Sequence, residues 1–175
     1  MQNYKELIFD DEFTKFYLGK TDIDDETQKE IPEGSGIWYT CDGYKVYEGN
    51  FALGQKNGYG TEWYLSGGIK YEGNWINDQY EGKGVIYNED GNKKYEGSIF
   101  NNQFEDRGIL YWDNGNVQFI GEYEDSKKVR KGILYYENGN KHYNGAFNND
   151  FFEGNPGILH HENGMLWFIG PFKQG

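Results

Sequence analysis

The chain has 175 residues and a net charge of −12, and it contains 26 glycines, 16 tyrosines, 12 phenylalanines and 5 tryptophans. This composition excludes a disordered chain, which is poor in aromatic residues, and favours many short strands joined by tight turns. Arginine occurs only at Arg107 and Arg130. No nucleic-acid partner is expected, because phosphates are neutralised by Lys and Arg side chains.

The N-terminal residues predict neither export nor membrane insertion. The segment MQNYKELIFDDEF is acidic and lacks the basic and apolar regions of a signal peptide. The chain has no apolar run of about 18 residues, the length that predicts a membrane-spanning helix. Its one cysteine, Cys41, has no partner for an internal disulfide. We therefore expect a reducing compartment, in the simplest case the cytoplasm.

From residue 47 onward an aromatic-x-Gly triplet recurs at a fixed period. Its first residues lie 24, 24, 24, 24 and 25 positions apart, at Tyr47, Tyr71, Tyr95, Phe119, Tyr143 and Phe168. Further glycines follow each triplet at repeated distances, except that Asp106 and Arg130 stand where other repeats have glycine. Self-similarity at this period predicts a repeat protein whose units pack each on the next.

Each repeat predicts two strands. In the clearest copy, the first strand covers Lys70–Ile76 and a loop follows at Asn77–Gly82. The second strand covers Lys83–Asn88, and Glu89–Gly91 turns into the next repeat. In a later copy, Asn138-Gly139 predicts a type I′ turn, which needs positive φ at both central residues. Because every connection is short and no helical period competes, we expect an antiparallel meander.

The repeat covers almost the whole chain and predicts a single domain at 1–175. Five regular repeats occupy 47–167. Degenerate N-terminal repeats occupy 1–46 and contain an acidic insertion at 20–33. A truncated repeat follows at 168–175, where Pro171 lacks an N–H and discourages the addition of another strand. Docking of this edge against a partner subunit is the alternative.

The pattern resembles the MORN repeat (membrane occupation and recognition nexus), in a variant with a period of 24 residues. The closest copy is YEGNWINDQYEGKGVIYNEDG at 71–91, with its Tyr-Glu-Gly triplet, later Gly-x-Gly and late Asp-Gly. The resemblance implies an all-β fold, an elongated, twisted antiparallel single sheet of repeated β-hairpins that forms a solenoid. It also implies assemblies at the cytoskeleton, in cilia or at the membrane periphery. YYENGN is similar to a variant found in bacterial antitoxin-like proteins.

The second strand of each repeat is apolar on both faces, although a single sheet needs only one apolar face for packing. One column carries Val85, Ile109 and Ile133, and the opposite column carries leucines such as Leu110 and Leu134. A surplus apolar strip on a protein surface often marks an interaction site, although ring edges and loops can also cover it. The candidate protein-binding residues are Trp75, Tyr87, Tyr111, Trp112, Tyr135 and Tyr136.

A basic cluster in the fourth repeat gives a second candidate site. Its members, expected in a loop, are Lys127, Lys128, Arg130 and Lys131. Such a patch attracts anionic phospholipid at about 1 kcal/mol per charge near a membrane surface, and the MORN resemblance links such repeats to phospholipids. A solvated loop is the plainer interpretation, because the cluster is small and the chain is acidic.

No residue constellation predicts catalysis, a metal site or a cofactor. His160 and His161 are adjacent on a predicted strand, so they face opposite sides and cannot easily share a metal. The insertion at 22–33 has acids at EF-hand spacing, but Thr27 replaces the turn glycine and no helix flanks it. Carboxylate pairs lie in predicted turns, where nothing distinguishes an acid from a base. The chain is therefore not expected to be an enzyme.

Three functions remain open from the sequence. The first is a non-catalytic scaffold that mediates protein–protein interaction in a cytoskeletal, ciliary or membrane-peripheral assembly. The second is a peripheral phospholipid-binding module that uses residues 127–131. The third is a regulatory or antitoxin-like binder of one enzyme, which predicts a single partner in one-to-one stoichiometry. The cytoplasm, with possible attachment to cytoskeleton or membrane, suits all three, and the sequence leaves the oligomeric state open.

Overall fold

The computed structural model describes residues 5–9 and 15–173, and for residues 5–9 and Lys15 it describes the backbone alone. Residues 10–14, part of the degenerate repeats predicted at 1–46, lie outside the described residues. Every regular element in the described part of the chain is a β-strand.

Fourteen strands follow one another in the described residues. They are β1 Lys5–Phe9, β2 Lys15–Ile23, β3 Glu30–Thr40, β4 Lys45–Ala52, β5 Gln55–Trp63, β6 Ile69–Ile76, β7 Gln79–Tyr87, β8 Lys93–Phe100, β9 Gln103–Tyr111, β10 Val117–Glu124, β11 Lys127–Tyr135, β12 Lys141–Asn148, β13 Phe151–His160 and β14 Leu166–Phe172. They lie in chain order in one sheet, and the registered neighbours are antiparallel. The predicted all-β single sheet of repeated hairpins is confirmed, whereas its elongation and twist stay predictions.

The chain forms two compact units. Unit 1 comprises Met1–Gly84 and Glu89–Gly91, and unit 2 comprises Val85–Asn88 and Asn92–Gly175. In unit 1 the glycines of successive strands pair directly, as Gly49 does with Gly60 and Gly60 with Gly73. The same pairing recurs in unit 2, where Gly121 lies opposite Gly108 on one side and Gly132 on the other. The regular period of the sequence therefore corresponds to a row of glycines across the strands of each unit.

Aromatic rings cover these glycines and form the core. The first triplet residues Tyr47 and Tyr71 in unit 1, and Tyr95, Phe119 and Tyr143 in unit 2, are all 0% exposed. A Cβ atom on either Gly97 or Gly108 would overlap the Tyr95 ring, so glycine is needed for ring and backbone to approach so closely. The covering of strand glycines by aromatic rings is also a stabilising device in designed sheets. We call the side of the strands that carries these rings the stacking face.

The hairpins use two kinds of turn, and both differ from expectation. Asn77-Asp78 is a two-residue turn with φ of 48° and 66°, which is type I′ geometry. The predicted loop at Asn77–Gly82 was therefore too long, and Gly82 lies inside β7. The type I′ turn predicted at Asn138-Gly139 is wrong, because only Gly139 has positive φ. There, Gly139 N donates to Tyr136 O at 2.9 Å, as in a three-residue hairpin loop.

One position in the second strand of each repeat adopts a left-handed backbone. It is glycine at Gly58 and Gly82, with φ of 85° and 70°. Asp106 and Arg130 hold the same position with φ of 50° and 54°, and a left-handed conformation costs a residue with a Cβ about 1–2 kcal/mol. The two departures from glycine in the sequence are thus two points of backbone strain in unit 2.

Candidate protein-interaction surface

Trp75 belongs to the core of unit 1 and not to an exposed contact surface. Its side chain is 2% exposed, and its ring packs edge-on against Tyr47 and Tyr71 at centroid distances of 5.3 and 5.2 Å. Its Nε1 donates to Gly60 O at 3.3 Å. The candidacy of Trp75 as a binding residue is corrected here, because the alternation of its strand points it into the stacking face.

A half-buried ion cluster adjoins Trp75. Lys56 Nζ lies 2.7 Å from Glu62 Oε1 and 4.2 Å from the centre of the Trp75 ring. Tyr80 OH donates to Glu62 Oε2 at 2.6 Å. Burial lowers the pKa of Lys56. Burial alone would raise the pKa of Glu62, but Lys56 and the hydrogen bonds from Lys56 and Tyr80 hold it below its ordinary value. The charged groups of this cluster are therefore paired with one another and packed against the Trp75 ring.

Trp112 and Tyr136 join successive hairpins of unit 2. Trp112 Nε1 donates to Tyr135 O at 3.3 Å, and Tyr136 OH donates to His160 O at 3.0 Å. Tyr136 also stacks on His142 with ring centroids 4.3 Å apart, and burial lowers the pKa of His142. Both candidates are half-buried, and these bonds give each a structural role in the repeat.

The tyrosine candidates Tyr87, Tyr111 and Tyr135 are half-buried and end the second strands of their repeats. Tyr111 OH lies 3.3 Å from Glu96 Oε2, and burial, together with this carboxylate, raises the pKa of Tyr111. In strands, residues two apart share a face. Tyr111 and Tyr135 therefore point to the same side as Ile109 and Ile133, which is opposite to the stacking face.

Three isoleucines form an apolar row on that opposite side of unit 2. Ile120 pairs with Ile109 on β9 and with Ile133 on β11. Its neighbours in the strand, Phe119 and Gly121, belong to the stacking face, so Ile120 points away from it. Ile120 is 40% exposed, and the other two isoleucines are half-buried. We call Ile109, Ile120 and Ile133 the isoleucine row.

The same register position is polar in neighbouring repeats. In unit 2, Glu96 pairs with Ile109 and Asn144 pairs with Ile133, so polar residues border the row on both sides. In unit 1, Glu48 and Glu72 hold the position in β4 and β6, each opposite Thr61, whereas Leu18 and Ile37 hold it in β2 and β3. Lys93 Nζ lies 2.6 Å from Glu96 Oε2. The position is therefore polar from β4 to β6 and on both sides of the isoleucine row. It is apolar again beyond Asn144, where Ile158 and Ile169 hold it.

The basic cluster lies in strand β11 and not in a loop. Lys128 Nζ is 3.1 Å from Asp150 Oδ1, and its backbone N donates to the same oxygen at 3.0 Å. Arg130 lies 3.5 Å from Glu122 Oε2 and 3.7 Å from Glu124 Oε2. Lys127 and Lys131 are exposed. Two of the four predicted lipid-binding cations are thus engaged with carboxylates of this chain, which weakens the cluster as an anion site.

The acidic insertion, His161 and Cys41 were also considered as sites in the sequence, and the structure places each of them. Asp24 accepts hydrogen bonds from the backbone N and Oγ1 of Thr27 at 2.7 and 2.6 Å, and these bonds lower the pKa of Asp24. The acidic insertion extends β2 and β3 around this turn. His161 is exposed and stacks on Trp167 at 4.9 Å. Cys41 is exposed in the turn between β3 and β4.

The MORN repeat model matches the chain over residues 47–69, 71–93, 95–117 and 119–141, together more than half of its length. The chain belongs to the MORN repeat family. This confirms the resemblance drawn from the triplets, and members of the family generally act as interaction or membrane-binding modules. No curated protein matches the chain. Among the described residues, no helix is long and apolar enough to span a bilayer.

The isoleucine row was found only in part from the sequence. Ile109 and Ile133 stood out as one apolar column, but Ile120 did not, because it lies on the other type of strand. Aligning the MORN repeats shows the missing signal. The residue after the first aromatic of the triplet is Glu72 in the second matched repeat and Glu96 in the third, but Ile120 in the fourth.

Proposed function

We propose that this protein is a non-catalytic MORN-repeat scaffold that binds another protein through the isoleucine row of unit 2. The observation that carries the proposal is the run of Ile109, Ile120 and Ile133 directly opposite one another on the face away from the core. The core of the unit is already closed by the buried rings of the stacking face. An apolar row that the core does not use is the feature expected of a contact surface.

The residues around the row indicate the chemistry of the partner. Arg107 and Lys131 lie two positions before Ile109 and Ile133 on the same face, and both are exposed. At the other end, Tyr111 and Tyr135 extend the apolar area and offer amphipathic rings of the kind enriched at interfaces. The charges at the edges of the row are mixed, because Arg107 pairs with Glu122 and Glu96 borders Ile109. The partner segment is therefore expected to present apolar side chains to the row itself.

The finer parts of the proposal follow from the family and remain proposals. A scaffold without catalysis agrees with a family that is typically non-catalytic. A place at the cytoskeleton or at the membrane periphery agrees with where MORN proteins are often found. A narrower version of the proposal is that the protein regulates a single enzyme by one-to-one binding through the same row. The stoichiometry of the complex distinguishes this version from a scaffold with several partners.

Phospholipid binding through residues 127–131 has weaker support than protein binding. Lys128 and Arg130 are paired with Asp150 and Glu122 at 3.1 and 3.5 Å. An anionic membrane would have to compete with these carboxylates for both cations. Lipid binding is therefore tested as the alternative outcome of the experiment below, with vesicles of anionic phospholipid as the probe.

The test compares two variants that carry the same new side chain. Ile120→Glu places a carboxylate in the isoleucine row, and Thr61→Glu places one at the same register position of unit 1. The tagged proteins are used to capture partners, and each recovered protein is purified and titrated against all three baits. The proposal predicts a partner that binds the wild type and Thr61→Glu equally, and Ile120→Glu at least about tenfold more weakly, the effect of about 1.4 kcal/mol.

Three readouts decide the outcome. Circular dichroism of both variants excludes unfolding as the cause of lost binding. Hydrogen exchange of the complex should show protection on β9 to β11. Partners that bind Ile120→Glu at wild-type affinity would overturn the placement of the binding site on the isoleucine row. Salt-sensitive binding to anionic vesicles would also overturn it, if that binding survives Ile120→Glu and is lost in the double variant Lys127→Glu and Lys131→Glu.

A further inference from the structure

A trough of about 530 Å³ lies on unit 1, on the side of the strands opposite the stacking face. Its floor is the backbone of the paired glycines Gly36 and Gly49, which belong to the glycine row beneath the rings. The residues before and after these glycines therefore point to the other side. They form two cross-strand pairs that border the floor, Ser35 with Asn50 and Ile37 with Glu48.

The trough is open because Ser35 is shorter than the residues at the same position of later repeats. Tyr59 holds that position in β5, opposite Asn74, and Arg107 holds it in β9, opposite Glu122. A tyrosine or arginine side chain extends over the strand surface, whereas serine ends at its hydroxyl. The small residue at Ser35 therefore distinguishes this repeat from those of Tyr59 and Arg107.

One wall of the trough is apolar. Leu18 on β2 pairs with Ile37 on β3, and both side chains line the trough. Leu18 is 37% exposed and Ile37 is half-buried. An aliphatic chain in the trough would remove part of this apolar area from water, which is favourable.

Three hydrogen-bond acceptors border the rest of the trough, and two of them are held in place. Lys45 Nζ donates to Glu48 Oε2 at 2.9 Å, and Asn50 Nδ2 donates to Tyr59 O at 3.3 Å. In the described part of the chain, Glu48 Oε1, Asn50 Oδ1 and the Ser35 hydroxyl make no hydrogen bond. One oxygen on each of these side chains is therefore available to a ligand.

The charge of this part of the chain and the number of acceptors both favour an ammonium group. The first 50 residues contain 5 lysines and 12 carboxylates, and an acidic surface attracts cations. An ammonium group has three N–H donors and no acceptor, which matches the three oxygens. A guanidinium group carries five donors in a rigid planar fork, more than these oxygens can accept.

We infer that the trough binds the side chain of a lysine on a partner protein. Its methylene groups lie on Leu18 and Ile37, and its ammonium group contacts Glu48, Asn50 and Ser35. These three polar residues are exposed, so the trough is open to solvent, whereas pockets for free small molecules enclose most of their ligand. A lysine that a protein segment carries gains further contacts outside the trough. The site belongs to unit 1 and does not depend on the isoleucine row.

The experiment titrates the isotopically labelled 175-residue protein with a blocked tripeptide, acetyl-Ala-Lys-Ala-amide, and follows the backbone amide shifts by NMR. The control peptide carries norleucine in place of lysine, which keeps the aliphatic chain and lacks the ammonium group. We expect the lysine peptide to shift the amides of 35–37 and 48–50. The norleucine peptide should bind at least about tenfold more weakly, because it makes no hydrogen bond to the carboxylate.

Protein variants then place the peptide. Glu48→Gln should weaken binding of the lysine peptide at least about tenfold, because it removes the charge that pairs with the ammonium group. Glu72→Gln is the matched control, since Glu72 and Glu48 lie on opposite sides of the same residue, Thr61, and it should leave binding unchanged. Ser35→Tyr introduces the residue found at Tyr59 and should abolish binding. Unchanged amide shifts outside the trough show that each variant is folded.

Four results would overturn the inference. The first is no binding of the lysine peptide, and the second is equal binding of the lysine and norleucine peptides. The third is an equal loss in Glu48→Gln and Glu72→Gln, because net charge alone would then explain binding. The fourth is binding of butylamine as tight as that of the lysine peptide, because the trough would then take a free amine and not a protein segment.

Discussion

In unit 2, the stacking face and the face that carries the isoleucine row differ in how strongly packing restricts the choice of amino acid at each position. On the stacking face, Tyr95 and Tyr143 are fully buried and fixed above glycines. On the other face, one register position holds Glu96, Ile120 and Asn144 in successive repeats. The first face is constrained by the packing of each repeat on the next, so variation on the second face is where specific function can be encoded.

The largest expected effect breaks the stacking face. Tyr95→Ala removes a fully buried ring that covers Gly97 and Gly108, and we expect a loss of about 3–5 kcal/mol in the free energy of unfolding. Tyr111→Ala is the matched control on the other face and should cost about 1 kcal/mol. Urea denaturation measures both, and equal losses would contradict the distinction between the two faces.

A gain of stability is expected where the stacking face lacks a hydrogen bond. Tyr95 OH donates to Ser98 O at 2.7 Å and Tyr143 OH donates to Ala146 O at 3.1 Å, but Phe119 has no hydroxyl. Phe119→Tyr should form the same bond to the carbonyl of Glu122 and stabilise the protein by about 1 kcal/mol. The control Phe147→Tyr adds a hydroxyl outside this pattern and should destabilise it, so a loss in both variants would sink the prediction.

The backbone strain at Arg130 gives a slightly smaller effect. Arg130→Gly removes a left-handed cost of about 1–2 kcal/mol, offset by the greater flexibility of glycine in the unfolded chain, so we expect a net gain of about 0.5–1 kcal/mol in thermal or urea unfolding. Arg130→Ala removes the same charge but keeps the strained φ of 54°. A gain with alanine would show that charge, and not backbone geometry, limits stability there.

The smallest effect concerns pH. Burial between Tyr136 and Phe152 lowers the pKa of His142 below its ordinary value of about 6.5. The unfolded chain then binds the proton more readily than the folded protein does. The contribution is therefore fully present above the unfolded pKa and is lost as pH falls through the folded pKa. Stability measured between about pH 7.5 and about pH 5 should fall more for the wild type than for His142→Asn, and parallel curves would contradict this.

Much of the fold could be predicted because its cause is local and repeated. The triplet spacing predicted the strands and the all-β sheet, since each ring needs a glycine beneath it. The turn at Asn77-Asp78 was missed because neither residue is glycine, although both adopt positive φ. The sequence showed that Arg130 stands where other repeats have glycine. It did not predict the strained φ of Arg130, because sequence alone does not show which glycines the backbone requires.

The candidate site was harder to predict because period-two alternation assigns residues to faces without showing which face is covered. Trp75 and Tyr111 both looked like surface aromatics, yet Trp75 is 2% exposed and Tyr111 is half-buried on the other side. Ile120 became evident only when register placed it between Ile109 and Ile133. Cross-strand pairing thus supplied what the linear pattern lacked.

The central claim is that the isoleucine row is present for binding and contributes little to the stability of unit 2. The free energy of unfolding of Ile120→Thr combined with Ile133→Thr tests it most directly, because threonine keeps the β-branched shape and the strand propensity. The account predicts a change of about 1 kcal/mol or less, because Ile120 is 40% exposed and Ile133 is only half-buried. A loss of about 3 kcal/mol or more, comparable to Tyr95→Ala, would show that the row is part of the core and would contradict the claim.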